Sequence, residues 1–388
     1  MRESLLAVLT VGEAGLNFTN VAFLAGLAGC LASAAGSAHA FEAVSGPGDD
    51  PACFSPWSPE TVFYCVPRTQ GPYRIALSNG YDANAWRDQM IRTAKAYAAQ
   101  PAVSAMLEEF RVVSTGEDVE AQISAVNNLI DAGFHAIVVD AENPQALAAV
   151  AKRAREAGVV MVAFDNTIDS TDVINVNVDQ RGLGVRAANW LIKHMPNGGK
   201  VLEVRGVPGT SVDNDRHAGA RETLASSGSW RVTEVIGKWN DEVAKQAAAA
   251  AIAKDGPFDG IISQAGDAGV IKAMQESGHP YVPFAGETEN GFRKLCAAHA
   301  GEGLKCSSAG TGPAQVAVAI KVALAALEGR VIPQSIRLPA PAVEYPGFKS
   351  GEDFYPEQPD GFFVGNTFPS CGIRITAAEI MSQTKAGQ

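Results

Sequence analysis

The chain has 388 residues, a length typical of about two domains. Hydrophobic residues make up 46% of it and charged residues 19%, the balance of a globular protein with sizeable cores. The formal net charge of −11 argues against a nucleic-acid partner, because binding to phosphate backbones starts from an excess of Lys and Arg. After residue 40, no stretch offers the roughly 20 uninterrupted apolar residues that a membrane-spanning helix needs.

The first 40 residues have the pattern of a secretory signal peptide. A short apolar run at residues 21–31 leads into small residues and an A-x-A sequence that ends at Ala40. Cleavage there would start the mature chain near Phe41. The L-A-G-C sequence that ends at Cys30 fits an alternative, in which the chain is cut and acylated at that cysteine. Both alternatives predict an exported, periplasmic protein.

Five cysteines follow residue 40, and none has the C-x-x-C spacing of a metal or redox site. Cys296 and Cys306 flank a short segment that contains glycine, which makes them a candidate disulfide in an oxidising compartment. Of Cys53, Cys65 and Cys371, one is expected to stay unpaired in a monomer.

Residues 41–72 are rich in Pro, Gly and Ser and show no periodicity, which predicts an irregular N-terminal arm. From Tyr73 onward, short apolar runs alternate with amphipathic stretches of helical length. The predicted strands are YRIALS, FRVVST, HAIVVD, VVMVAFD, VINVNVD, KVLEVRG, WRVTEVIG, FDGIISQ and YVPFAG. Helices are predicted between them, starting with 86–100, 119–132 and 144–157, and a further helix is predicted at 315–327.

This alternation predicts an α/β fold class. Apolar strands separated by helices indicate parallel sheets that are covered on both faces, and right-handed crossovers make such sheets doubly wound. The strands are too many for one sheet, so we predict two doubly wound parallel-sheet lobes with a hinge. The N-terminal lobe is predicted to comprise residues 73–178 plus 310–340, and the C-terminal lobe residues 179–309. A C-terminal extension of surface strand and loop follows at 341–388.

Polar and aromatic residues follow nearly every predicted strand. Open α/β sheets bind ligands in the crevice at the carboxyl ends of their strands, so two facing lobes would share one cleft. After the first strand, Asn79, Asn84 and Arg87 can reach hydroxyl groups, and the indole of Trp86 can cover the C–H face of a sugar ring. In the alternative interpretation, Asn84 only caps a helix and Trp86 is a hydrophobic staple.

Further candidates follow later strands. Asp165 and Asn166 come after VVMVAFD, where carboxylate and amide groups can bind hydroxyls or simply form a turn. The guanidinium of Arg216 can donate two hydrogen bonds to ring and hydroxyl oxygens, unless it forms a surface ion pair with Asp213. Trp239 can supply an aromatic wall opposite Trp86, or pack the surface between the lobes.

Two acidic residues complete the set of candidates. Asp267 and Glu287 follow FDGIISQ and YVPFAG, with a helix N-cap and a solvated loop acid as their alternatives. The sequence GLGVRA at 182–187 mimics a dinucleotide-binding fingerprint, but three residues separate it from its strand. Neither H-E-x-x-H nor G-x-S-x-G occurs, so no enzymatic activity, metal or cofactor is predicted.

From about Tyr73 to Gly329 the chain resembles the type I periplasmic sugar-binding proteins of the ribose-binding and galactofuranose-binding kind. The matching pieces are N-A-W-R at 84–87, the strand-end Asp165-Asn166, G-T-S at 209–211 followed by Arg216, the aromatic Trp239 and the acidic Glu287. The resemblance implies a two-lobed, hinged, monomeric receptor of an ABC importer. Such a receptor closes on a sugar or polyol and delivers it to permease subunits in the membrane.

The chain departs from that family at four places in the predicted pocket. Asn166 replaces a usual Arg, Q-A-G-D at 264–267 replaces Q-N-D, Gly310 replaces a Gln of the ribose binders, and Glu287 replaces a shorter Asp. We therefore expect a neutral monosaccharide or sugar alcohol, without assuming ribose. The alternatives are a sugar-sensing receptor that presents ligand to a chemotaxis or signalling partner, and an exported α/β enzyme.

Overall fold

The computed structural model describes residues 41–81 and 84–384, so the predicted signal peptide and the alternative acylation at Cys30 lie outside it. The strands are β1 (Glu42–Val44), β2 (Phe63–Cys65), β3 (Tyr73–Asn79), β4 (Leu107–Ser114), β5 (Ala136–Asp140), β6 (Val160–Phe164), β7 (Ile174–Asn177), β8 (Gly199–Arg205), β9 (Trp230–Ile236), β10 (Gly260–Ser263), β11 (Phe284–Gly286), β12 (Cys306–Ala309), β13 (Val331–Pro333), β14 (Ser335–Arg337), β15 (Ala342–Glu344), β16 (Thr367–Phe368) and β17 (Ile373–Arg374). The helices are α1 (Ala85–Ala98), α2 (Pro101–Ser104), α3 (Val119–Asp131), α4 (Pro144–Glu156), α5 (Gln180–His194), α6 (Ser211–Ala225), α7 (Asp241–Asp255), α8 (Asp267–Ser277), α9 (Asn290–Ala298), α10 (Gln315–Leu327) and α11 (Ala377–Met381). Within the part of the chain that the structure describes, no helix combines the length and apolar character that a membrane crossing requires.

The first lobe is built on a six-stranded, fully parallel sheet in the order β4-β3-β5-β6-β7-β14. Ile75 and Leu77 of β3 contribute to one core, whereas Ala76 between them contributes to another. Side chains alternate between the faces of a strand, so a continuous apolar run means that both faces are covered. Helices α1 and α10 cover one face, and α3 and α4 cover the other.

The second lobe repeats this plan. Its sheet has the order β9-β8-β10-β11-β12-β15, parallel except for β15 at the edge, with α7, α8 and α9 on one face and α5 and α6 on the other. The sequence pattern does not predict β12, which reads C-S-S-A. Its buried Ser308 donates to the backbone oxygen of Glu287 (2.5 Å) and accepts from Nε of Arg293 (2.7 Å). These bonds allow a polar strand to lie inside the sheet.

The described chain passes between the lobes four times. The first three passages lead from β7 to α5, from β12 to α10 and from β14 to β15. The fourth follows β15, because the C-terminal extension leaves the second sheet and ends on the first lobe, where α11 packs on α1. The two lobes are therefore joined by several chain segments rather than by one linker.

The N-terminal arm is more ordered than its composition predicts. Strands β1 and β2 join β13 in a small antiparallel sheet, and Phe41, Phe54 and Tyr64 are buried in the core of the first lobe. The prediction of an irregular arm is wrong for these two strands. Each has three residues, too few for a period to be visible, and the buried aromatic side chains anchor the segment.

Two disulfides link the described residues. One joins Cys296 to Cys306, the pair that the sequence indicates, and the other joins Cys53 to Cys371, tying the arm to the C-terminal extension across 318 residues of sequence. Cys65 is disulfide-bonded as well, and no described cysteine is free. The expectation that one of Cys53, Cys65 and Cys371 is unpaired is therefore wrong.

Candidate ligand-binding cleft

A cavity lies between the lobes at the carboxyl ends of both sheets. It is lined by Asn84, Trp86, Arg87, Asp165, Val178, Gln180, Val212, Arg216, Trp239, Gln264, Ala265, Glu287, Thr311, Gln315 and Phe363. Seven of the ten site residues chosen from the sequence are among them. The other three are Asn79, Asn166 and Asp267, and each lies behind the lining in a supporting position.

Arg87 lies in the first turn of α1 and lines the cavity. Residues behind the lining bind its guanidinium. It forms an ion pair with the fully buried Asp140, and its Nη1 donates to Oδ1 of Asn79 (3.1 Å). Asn79 also donates to Oγ of Ser114 (3.2 Å), so it fixes the arginine rather than lining the cavity. Asn79 thus lies behind the cavity lining at the end of β3, where it supports Arg87.

Asn84 begins the helix that carries Arg87. Its Oδ1 accepts from the backbone N–H of Arg87 (2.8 Å), which caps α1, and the residue also lines the cavity. Asn84 therefore caps the helix, and its contact with a ligand stays a prediction. The Arg87 guanidinium lies 5.4 Å from the ring centre of Trp86, within the range of a cation–π contact.

Asp165 lies at the end of β6 with a left-handed backbone conformation, φ = 57°. Its Oδ1 accepts from Nε2 of Gln315 (2.9 Å) and more weakly from Nε2 of Gln180 (3.4 Å). Both donors are neutral amides, and among the described residues no cation lies within ion-pair distance of this carboxylate. Asp165 therefore brings a negative charge to the cavity without a directly paired cation.

Asn166 connects the two lobes and does not line the cavity. Its Nδ2 donates to Oδ1 of Asp140 (3.2 Å) in the first lobe. Its Oδ1 accepts from the backbone N–H of Val212 (3.3 Å) and from Oγ of Ser211 (3.5 Å), at the start of α6 in the second lobe. The side chain of Asn166 is fully buried in this contact between the lobes, behind the cavity lining.

Arg216 and Glu287 form an ion pair on the wall of the second lobe, with Nη1 2.6 Å from Oε2. Arg216 also donates to Oε1 of Gln180 (2.7 Å) and to the backbone oxygen of Gln264 (3.1 Å). The surface alternative for Arg216 is wrong, because Asp213 is paired with Arg205 instead. Glu287 is 5% exposed and is therefore not a solvated loop acid.

Asp267 lies beneath Glu287. It is fully buried, and its Oδ2 accepts from the backbone N–H of Glu287 (2.6 Å). Burial raises the pKa of Asp267 to about 8, and the negative charges of Glu287 and Asp241 add to the shift. Burial likewise raises the pKa of Glu289 well above its ordinary value. Asp267 thus lies behind the cavity lining and positions the loop that carries Glu287.

Trp239 forms an aromatic part of the wall from the second lobe. It packs with Tyr81 of the first lobe in an edge-to-face pair, with ring centres 6.3 Å apart, and its backbone is left-handed at φ = 54°. A Cβ at Gly206 would lie 2.0 Å from the indole, so only glycine leaves room for this ring. Trp239 is thus both a lining residue and part of the packing between lobes.

Three lining residues carry buried polar atoms that have no hydrogen-bond partner within residues 41–81 and 84–384. They are Nε1 of Trp239, a donor, and Oε1 of Gln264 and of Gln315, both acceptors. Leaving such an atom unpaired costs about 1–3 kcal/mol. Nε1 of Trp239 lies against Gly206, whereas the two amide oxygens belong to residues whose side chains also make hydrogen bonds around the cavity.

Several lining residues were not predicted. Gln264 carries a sequence signal, because it directly follows β10. Gln180 is the first residue of α5 and Gln315 the first residue of α10, and each follows a passage of the chain between the lobes. The local sequence pattern does not predict where the chain passes between lobes. Thr311 lies in the same passage as Gln315, and Phe363 comes from the C-terminal extension.

A separate cluster in the second lobe could hold a metal ion. Ligand atoms of Glu203, His217 and Glu234 lie within 4.8 Å of one another. However, Arg205 lies 3.3 Å and Arg221 3.6 Å from Glu234, and these two cations already neutralise its carboxylate. The arrangement is that of an ion-pair network.

Comparison with known proteins agrees with this geometry. Residues 75–330 match the model of a family described as periplasmic binding protein domain. A D-ribose/D-allose-binding protein of Pseudomonas aeruginosa is 30% identical over 188 residues, 46% of this chain and 57% of that protein. A xylitol-binding protein of Mycolicibacterium smegmatis is 26% identical over 178 residues, 45% of this chain and 51% of that protein. The chain thus matches about half the length of these curated relatives.

Solved structures share the fold over a larger part of the chain. An ABC transporter solute-binding protein from Thermobispora bispora has a TM-score of 0.66 at 25% identity, covering 70% of this chain and 85% of that one. One from Bacillus halodurans with bound myo-inositol has a TM-score of 0.63 at 17% identity, covering 71% and 96%. The chain therefore belongs to the family of type I periplasmic binding proteins, which includes the sugar-binding proteins of ABC transporters.

Proposed function

We propose that this chain is the extracytoplasmic solute-binding protein of an ABC importer, and that it binds a neutral monosaccharide or sugar alcohol between its lobes. The polar and aromatic lining of the cavity carries the proposal, including Gln264 and Gln315, whose Oε1 atoms have no hydrogen-bond partner among the described residues. Amide and guanidinium groups donate and amide and carboxylate oxygens accept, so a hydroxyl group, which does both, suits this lining. The indoles of Trp86 and Trp239 offer apolar surface to the C–H faces of such a molecule.

The charges around the cavity support a neutral ligand. Arg87 is already paired with Asp140, and Arg216 with Glu287, so neither guanidinium is free to serve an anionic ligand alone. Asp165 adds a negative charge, and the side chains that hydrogen-bond to it within the described part of the chain are neutral amides. A sugar acid, a sugar phosphate or the carboxylate of an amino acid would therefore meet repulsion without a dedicated cation.

The relatives support the ligand class but not one ligand. Their names give D-ribose or D-allose and xylitol, and bound myo-inositol is present in one solved structure. All of these are neutral and rich in hydroxyl groups. In this proposal the protein is an exported monomer without enzymatic activity, and it presents the ligand-bound, closed form to the permease in the membrane.

A thermal-shift screen tests the proposed function. D-Ribose, D-allose, xylitol and myo-inositol should be compared with amino acids and with ribose 5-phosphate on the purified mature protein. A bound ligand stabilises the native state by about 2.7 kcal/mol at a hundred times its Kd, so a true ligand raises the melting temperature in a concentration-dependent way. We expect at least one neutral polyol to do so. Stabilisation by amino acids or by the phosphate alone would contradict the proposal.

A further inference from the structure

Residues 355–366 of the C-terminal extension, here called the bridging segment, are bound to the second lobe at the start of α9. The backbone N–H of Asn290 donates to the backbone oxygen of Phe362 (2.8 Å). The side-chain Nδ2 of Asn290 donates to the backbone oxygen of Tyr355 (2.9 Å). The Oδ1 of Asn290 accepts in turn from the backbone N–H of Tyr355 (2.7 Å). One buried side chain thus holds the first half of the segment.

The second half of the bridging segment contacts both lobes: the backbone N–H of Val364 donates to the backbone oxygen of Thr288 in the second lobe (2.9 Å), and a side chain of the first lobe binds Phe363. Gln89 of α1 donates to the backbone oxygen of Phe363 (3.0 Å) and to Oδ1 of Asn366 (2.9 Å), and accepts from the backbone N–H of Phe363 (2.7 Å). A Cβ at Gly312 would lie 2.6 Å from the backbone oxygen of Gly365, so the segment also lies directly on the passage between β12 and α10. The segment therefore contacts both lobes and one of their connections.

At its attachment to Gln89, the bridging segment contributes a side chain to the cavity. Phe363 is 2% exposed and lines the same space as Trp86 and Trp239. The match to the family model ends at residue 330, so this aromatic side chain comes from outside the matched domain.

We propose that the bridging segment is part of the ligand site, with Phe363 as a ligand-contacting wall and Gln89 and Asn290 as the residues that hold it across the two lobes. This inference rests on the proposed function for its ligand. An aromatic ring at this position gives the cavity a third apolar face, which suits a ligand with C–H groups on more than one side. The bonds to both lobes restrict how far the lobes can separate.

The first test is the Phe363→Ala variant, measured by titration calorimetry with whichever of D-ribose, D-allose, xylitol and myo-inositol most stabilises the parent. We expect affinity to fall about tenfold or more, since an aromatic contact and its buried area are lost. The matched control is Phe368→Ala, because Phe368 is buried in the core of the first lobe within the same extension and does not line the cavity. It should lower stability but leave affinity unchanged. Equal affinity in Phe363→Ala and the parent, or an equal loss in both variants, would overturn the proposal.

The second test needs no ligand. The double variant Gln89→Ala/Asn290→Ala removes the side-chain bonds at both ends of the bridging segment. Small-angle X-ray scattering of the ligand-free protein should then give a larger radius of gyration than that of the parent, while circular dichroism stays the same. An unchanged radius of gyration would overturn the bridging role. If no polyol in the panel binds the parent, the proposed function fails, and the scattering result alone decides whether the segment restrains the lobes.

Discussion

Glu287 occupies the space that a side chain at residue 310 would need. A Cβ on Gly310 would lie 1.6 Å from Oε1 of Glu287, far inside contact distance. The glutamate at 287 therefore fits in this position because residue 310 has no side chain. Because Oε2 of the same carboxylate is paired with Arg216, a change at residue 310 reaches the cavity wall.

Gly310→Ala should displace the Glu287 carboxylate and break its pair with Arg216. Displaced cavity-wall groups no longer meet the ligand's hydroxyls, and losing about 1.4 kcal/mol of such contacts raises the Kd for the bound polyol about tenfold. Calorimetry measures it, with Gly301→Ala as the matched control, since a Cβ there meets nothing within 4 Å. Adding Glu287→Asp should restore part of the affinity, because the shorter acid leaves room for the methyl group. A Gly310→Ala variant that binds like the parent would contradict this relationship.

Asp165→Ala and Arg216→Ala should each weaken polyol binding from opposite walls of the cavity. Each removes a charged group and leaves its former partners unpaired, at a cost of about 1–3 kcal/mol or more. Both variants should still fold, which circular dichroism checks. The control is Arg205→Ala, which removes a similar pair with Asp213 away from the cavity and should keep the parent affinity. If neither cavity variant loses affinity, the cleft is placed wrongly.

The buried carboxyl of Asp267 should make stability depend on pH. Burial raises its folded-state pKa to about 8, so the folded protein keeps a proton that the unfolded chain releases near pH 4. The contribution of Asp267 to stability is therefore greatest below about pH 4 and is lost progressively as the pH rises toward 8. Asp267→Asn removes this titration. The melting temperature of the variant, relative to that of the parent, should therefore rise as the pH increases from about 5 to about 8. Parallel curves for the two proteins across that range would contradict the assignment.

Loss of the long disulfide should destabilise the protein more than loss of the short one. In the chain-entropy model, closing a loop of ten residues is worth about 3 kcal/mol, whereas a loop of several hundred is worth about 5 kcal/mol or more. The serine pair at Cys53 and Cys371 should thus lower the melting temperature further than the serine pair at Cys296 and Cys306. The opposite order would show that the arm and the extension stay in place without their covalent link.

The sequence predicts the sheets well because their strands are apolar on both faces. Strands such as β6, buried along its whole length between two helical layers, cannot tolerate polar residues and so stand out from their surroundings. β12 is an exception, because Ser308 satisfies its hydroxyl with Arg293 and with backbone, which hides a central strand behind a polar composition.

The site is predicted less well than the sheets. The sequence does not show how deeply a side chain is buried, or which distant segments of the chain meet at the cavity. Position after a strand identifies the neighbourhood of Asp165 and Glu287, but it does not distinguish a side chain that lines the cavity from one that supports it, such as Asn166. Gln315 and Phe363 reach the cavity only through long-range contacts, which a local pattern does not record.

The bond between Cys53 and Cys371 turns most of the chain into a covalent ring, because the two Cα atoms lie 4.5 Å apart near opposite ends of the sequence. The second lobe is an insertion within that ring, reached and left by way of the first lobe. New chain ends could therefore be opened at an exposed turn of the second lobe, such as the one around Gly301, while the original ends remain joined. The arrangement that forms the cleft therefore does not require a continuous backbone at that turn.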